Sequence, residues 1–186
     1  ADAFIGNEVI VRAYKSLRPY LGLQINVESR LAPIGFAFAS RTADPLLGDM
    51  MDRALASIDE SIQREILARW TTGLGVGIAA DRIVLSAGEQ AWLLHHPHVV
   101  VVSQQQSPYI FKDKDGQWVG LNVDLLNRIS RMTGLQFVME EVSSTAQTLE
   151  LLAAGRADMN TTLAENQERR QFLDFSHGFG GAGWVF

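Results

Sequence analysis

The chain has 186 residues, 47% hydrophobic and 20% charged, which excludes a disordered polypeptide and gives room for one ordinary domain or two small lobes. A net charge of −5, with no block of like charge, argues against nucleic acid as a partner. Cysteine is absent, no apolar run approaches the ~20 residues of a membrane-spanning helix, and no signal peptide opens the chain, so an anchor or export signal is expected outside these residues.

Ala1 to Ile5 reads as the end of a buried strand with no lead-in, and the chain closes on the apolar Trp184-Val185-Phe186. Both ends are therefore expected to continue in a longer protein. Between Gly6 and Leu17, the apolar residues Val9, Ile10, Ala13, Tyr14 and Leu17 follow a helical period, which Pro19 ends. Leu23 to Val27 alternates as a half-buried strand does, and Ile34 to Ala39 is a short apolar run suited to a central strand. Asp44-Pro45 predicts a capped helix start with proline in the first turn. The wide stripe from Leu46 to Ile58 fills that helix; a break at Ser57 to Glu60 precedes a second one carrying Ile62, Ile66, Leu67 and Trp70. A glycine-containing run beginning at Thr71 reads as a linker or crossover.

Ser86-Ala87-Gly88-Glu89 is a capping box opening a short helix through Leu94. His98 to Ser103, rich in β-branched residues, is a strand, and Asp113 to Gly116 a turn. Asn122 to Met132 is an amphipathic helix closed by Gly134. Leu135 to Glu140 is a strand, Ser144 caps a helix ending at Gly155, Ala157 to Thr161 is a strand, Asn166 to Arg170 a helical turn and Phe172 to Phe175 extended. From Val99 onward strands and helices alternate, which implies parallel strands joined by crossover helices in an α/β fold.

Four pieces carry a family resemblance: Gly120 to Leu126, Thr133 to Phe137, Gly155 to Met159 and Glu168 to Ser176. In this order they resemble the first lobe of a family 3 solute-binding "Venus flytrap" module, over about Glu89 to Trp184. The Glu89-Gln90-Ala91-Trp92-Leu93 helix followed by His96-Pro97-His98-Val99 is similar to the entry into flytrap domains of BvgS/EvgS-type hybrid histidine kinases. Asp2 to Asn7 resembles a second-lobe strand entering a helix. Phe36 to Ala39 resembles the strand returning to a first lobe, and Ala54 to Trp70 the closing helices. The resemblance implies a periplasmic-binding-protein-like (type II) lobe, with a central mostly parallel sheet flanked by helices. It divides the chain into residues 1–72, the end of one flytrap module; a linker at 73–85; and residues 86–186, the first lobe of a second. The 34–70 segment is then expected to complete the sheet begun by 98–176, within one chain or between two.

The same resemblance implies a ligand-sensing periplasmic domain of an inner-membrane histidine kinase, with a membrane-anchored parent acting as a homodimer. A fragment of this kind is not itself an enzyme and needs no cofactor. A solute-binding protein of an amino-acid-type ABC importer, or an enzyme on the same scaffold (a dehydratase or lytic transglycosylase) using Glu140, Glu141 or Glu165, are the alternative readings.

Arg169 leads the candidate site residues. Relatives fork the arginine of this element onto a ligand carboxylate, and a planar guanidinium suits that task. The alternative is a surface arginine paired with Glu165 or Asp174. Thr161 and Thr162 follow a strand, at the edge where open α/β sheets bind ligands. Tyr109 and Phe111 stand where relatives stack an aromatic ring on the ligand, or pack beneath the loop instead. Asn7 occupies the position of a second-lobe carboxylate, and Ala164 one where many amino-acid binders carry a hydroxyl. Both depart from the amino-acid pattern. The expected ligand is a small molecule bearing a carboxylate. Asp124 and Asp158 read as structural, Trp118 as packing its hairpin, and the glycines from Gly178 to Gly183 as a hinge. His95, His96 and His98 lack the spacing of a metal site.

Overall fold

The computed structural model describes residues 6–17, 37–72, 83–179 and 184–185. The expected strand at 23–27, the first part of that at 34–39, most of the linker and the glycines at 180–183 lie outside the described residues.

Strand β1 (Gly6–Asn7) leads straight into helix α1 (Glu8–Leu17), and Asn7 Oδ1 accepts the Val9 and Ile10 amides at 3.0 and 3.3 Å, a side-chain cap. Strand β2 (Ala39–Arg41) begins at the last residue of the apolar run that predicted it. Helix α2 (Pro45–Ser57) starts where Asp44-Pro45 predicts, but the Asp44 side chain makes no cap bond. Its carboxylate is taken by the Arg41 guanidinium, a charged donor that outcompetes a helix amide. Helix α3 (Glu60–Thr72) and helix α4 (Ala87–His95) follow, and the Ser86–Glu89 capping box is formed in both directions.

Strand β3 (His98–Ser103) precedes a small hairpin, β4 (Phe111–Lys112) and β5 (Trp118–Val119). Helix α5 (Leu121–Thr133) ends at Gly134, whose φ of 86° puts it in the left-handed region that favours glycine. Strand β6 (Gln136–Glu141), helix α6 (Thr145–Ala153) and strand β7 (Met159–Asn160) complete the crossovers. β7 is shorter than the expected 157–161, because Asn160 turns the chain through its own side chain. The helical turn expected at 166–170 is a 3-10 turn at Arg169–Gln171, ahead of strand β8 (Leu173–Phe175). Strand β9 (Trp184–Val185) pairs antiparallel with β1, a two-stranded ribbon apart from the main sheet.

The main sheet has five strands in the order β6-β3-β7-β2-β8. β3 runs parallel to β6 and β7, while β2 is antiparallel to both β7 and β8. β8 therefore points the same way as β3, and β2 alone is reversed. The early segment thus completes the sheet of the later one within this chain: Ala39 faces Asn160 on one side and Phe175 on the other. Arg41 fixes this register by bonding Asp158 Oδ1 at 3.1 Å, while Asp158 Oδ2 accepts the Val100 amide at 2.7 Å.

Alternation along the strands splits the core. Phe38, Val101 and Met159 face α2 and α5, meeting Met50, Met51, Leu125 and Ile129. Ala39, Val102 and Leu173 face the other side with Leu152 and Ala157. Each fully buried aliphatic or aromatic side chain contributes roughly 1.5–3 kcal/mol, so this two-sided burial holds the sheet. Three polar ties add the outer helices. Arg53 grips both Glu89 oxygens at 2.6 and 2.8 Å, joining α2 to α4. Arg69 and the Trp70 indole both donate to Asp124 Oδ2, joining α3 to α5. α1 packs on α3.

Candidate functional site

The site is built from the loops after β3 and β7 and from the start of α5. Residues 106–110 fold back on themselves, Gln106 pairing with Ile110, and press Tyr109 against the α5 N-terminus. The Leu121 amide donates to Pro108 O and the Asn122 amide to Tyr109 O, at 3.0 and 2.8 Å. This approach requires Gly120. Its φ is 128°, and a Cβ there would run into the Tyr109 carbonyl.

Tyr109 is fully buried, and its hydroxyl donates to Asn7 Oδ1 at 2.8 Å. Burial pushes the phenol well above its usual range, with the bond to Asn7 acting in the opposite direction. Two candidates that the sequence assigns to different segments therefore touch. The same Asn7 oxygen caps α1, so the β1–α1 unit is tied through one atom to the loop after β3.

Asn122, fully buried, is the joint that motif reading passes over in favour of Asp124. Its amide group donates to Thr161 O at 2.9 Å, so it links the Tyr109 loop to the loop after β7. Asn122 Oδ1 and the Thr161 hydroxyl, itself fully buried, have no hydrogen-bond partner among the described residues. Asn160 shapes the second loop: it donates to Val102 O at 2.6 Å, and its Oδ1 accepts the amides of Thr162 and Leu163 and the Thr162 hydroxyl. The asparagine before Thr161-Thr162 was the available hint, since asparagine side chains mimic backbone turns.

Arg169 is half-buried. Its guanidinium donates to Ala164 O at 2.5 Å, and no carboxylate pairs with it among the described residues. The pairing with Glu165 belongs instead to Arg170. Arg169 is thus held by a neutral carbonyl of the same loop, with donors left for a second acceptor. Phe111 lies apart from this group: its ring meets Trp70 of α3 edge-on, with centroids 5.7 Å apart. Trp118 packs its hairpin, with the Lys112 ammonium 5.1 Å from its ring centroid. Asp124 and Asp158 hold structure, as described above.

The remaining acids of interest are exposed and ionised. Gln105 and Lys112 hold Glu141 below the usual carboxylate range, and Arg170 does the same for Glu165. Neither has the raised pKa of a general acid.

Residues 99–183 match the sequence model of the bacterial extracellular solute-binding proteins, family 3. The whole chain is 28% identical over 186 residues to the virulence sensor protein BvgS of Bordetella pertussis, spanning 15% of that protein's length. It is 24% identical over 188 residues to the sensor protein EvgS of Escherichia coli K12, spanning 16% of it. Among solved structures, the B. pertussis BvgS periplasmic domain is 31% identical, with a TM-score of 0.51, over 66% of this chain and 24% of that one.

Proposed function

We propose that the chain, whose residues 99–183 match the model of the family 3 bacterial extracellular solute-binding proteins, is the extracytoplasmic ligand-sensing part of a two-component sensor histidine kinase. The match to two sensor proteins along the whole chain supports this reading. Among the described residues no helix is long and apolar enough to cross a membrane. The parent is then an inner-membrane protein, homodimeric, with this chain in the periplasm. Residues 1–72 are the end of one flytrap module, 73–85 the linker and 86–186 the first lobe of the next.

One observation carries the ligand reading. Arg169 has no acidic partner among the described residues, and it stands on the loop whose Thr161 hydroxyl is buried without a partner. A carboxylate-bearing small molecule meets both: the Arg169 guanidinium donates a charge-assisted bond to it, and the Thr161 hydroxyl a neutral one. Ligand closing would act on the Tyr109–Asn7 contact, because it ties the lobe to the β1–α1 unit. Closure then shifts a two-state equilibrium that the kinase reads. The exposed, ionised Glu141 and Glu165 disfavour the enzyme reading.

The test is a thermal-shift and calorimetric panel of dicarboxylates and amino acids. A positive compound should lose about tenfold or more in affinity with Arg169→Ala, while the variant's own melting temperature stays unchanged. Undiminished binding would remove Arg169 from the site.

A further inference from the structure

Strand β6 is one edge of the five-stranded sheet, with β3 on its inner side and no strand beyond it among the described residues. All 6 of its residues stay in register with β3, so no bulge interrupts it. Gln136–Glu141 holds neither proline nor glycine, and its charges, Glu140 and Glu141, stand together at one end. Proteins usually blunt an exposed edge with spread charge, a proline or a bulge. The other edge, β8, is only 3 residues long.

The ladder shows which backbone groups point outward. The Val142 amide donates to Ser103 O of β3 at 3.1 Å. Alternate residues of a parallel strand face the same neighbour, so Glu140, Val138 and Gln136 also turn their backbone groups to β3. Phe137 and Met139 turn theirs away from the sheet. Side chains alternate as well. Phe137 and Met139 are half-buried against the core on the α2 and α5 side. Gln136, Val138 and Glu140 lie on the other face and are exposed, Val138 at 42%.

A second copy of the same strand fits this edge antiparallel, about a twofold axis through Val138. Phe137 then meets the other copy's Met139, and their outward backbone groups exchange both bonds of a hydrogen-bonded pair. Val138 meets Val138 as the closer, non-hydrogen-bonded pair, with Cα atoms about 4.5 Å apart. Gln136 meets Glu140, an amide donor opposite a carboxylate. Apolar side chains thus face apolar ones, and no carboxylate faces another. Moving the axis to Met139 sets Val138 opposite Glu140, and moving it to Phe137 sets Val138 opposite Gln136. Parallel pairing in register sets Glu140 beside Glu140. The contact is bounded by Leu135, whose amide bonds the Thr133 hydroxyl, and by Glu141, whose carboxylate is held by Gln105 and Lys112.

We propose that the β6 edge is a docking surface for a second copy of this chain, joining two sheets into one through antiparallel β6–β6 pairing centred on Val138. It uses neither Arg169 nor Thr161, so it stands or falls separately from the ligand reading above.

The test is sedimentation equilibrium of the intact chain over about 5–500 µM, which should show a reversible dimer of micromolar strength, because one strand pair buries less than a standard interface. Val138→Asp and Val138→Lys, at an exposed position, should each be monomeric with unchanged circular dichroism, and their equimolar mixture should dimerise. Gln136→Glu should weaken the dimer about tenfold or more, and adding Glu140→Lys to it should restore the dimer. Should the Val138 variants lose their fold, this second pair, on exposed side chains, decides the matter. A chain that stays monomeric throughout that range overturns the proposal. So does a dimer that the β6 variants leave unchanged, or one that responds to Asp174→Lys on β8 instead.

Discussion

The Tyr109 hydroxyl donates to Asn7 Oδ1, an oxygen that already caps helix α1, so one amide group fixes a helix start and anchors a buried phenol. Tyr109→Phe removes one bond and leaves the cap. It should cost about 0.5–1.5 kcal/mol in denaturant unfolding. Asn7→Ala removes both, and should cost about 1–3 kcal/mol. The double variant should cost less than the sum, and a double-mutant cycle reads the coupling directly. Strict additivity would show that the two residues act independently.

Gly120→Ala should be the most damaging small change near the site. The added methyl meets the Tyr109 carbonyl, and a φ of 128° is strained for alanine. A loss of about 1–3 kcal/mol or more is expected, measured by chemical denaturation. Gly116→Ala, also at positive φ but with open space around it, is the control and should cost less.

The Arg53–Glu89 pair predicts acid sensitivity. Burial alone would raise the Glu89 carboxyl, but the bonds from Ser86 and from Arg53 outweigh it and hold the group below its usual value. A depressed folded pKa contributes stability above the unfolded value and loses it as pH falls through the folded one. Stability should therefore decline as pH drops below about 4.5, and Glu89→Gln should flatten that decline. At neutral pH the variant should lose about 1–3 kcal/mol, less than a fully buried pair would, because Arg53 is half-exposed and can turn to water. Unfolding curves at a series of pH values check both.

Asp124→Ala should loosen α3 without unfolding the sheet. It frees Arg69 and the Trp70 indole, and with Trp70 the edge-on contact to Phe111. Faster amide exchange across α3, with β3 and β6 unchanged, is the expected pattern.

What the sequence disclosed follows from the range of each interaction. Helices α1 to α6 were legible because their caps and apolar stripes are local: Ser86 with Glu89, Ser144 before Thr145, Gly134 after Thr133. Strand β3 was legible from its β-branched run. The ends of β2 and β7 were not, because their limits depend on Arg41 reaching Asp158 and on Asn160 reaching Val102, contacts between distant segments. Family resemblance pointed to the site loops, yet Asn122, the residue joining them, looked like an ordinary helix start. Its role exists only once Tyr109 and Thr161 are brought to either side of it. The Tyr109–Asn7 bond was likewise invisible, since nothing local in either segment announces the other.

The reversed strand β2 also sets a timetable. It is the first of the five sheet strands to leave the ribosome, while its two neighbours, β7 and β8, are the last. Until those arrive, Ala39 to Arg41 have no backbone partners from the main sheet and Phe38 no finished core. A sheet whose early strand waits for late ones forms slowly, because the intervening chain must be closed before any pairing is rewarded. In that interval the waiting strand is an open edge, able to pair with the equivalent strands of another copy. Assembly of this sheet is therefore most exposed to wrong pairing during synthesis, and protection then matters more than the stability of the finished fold.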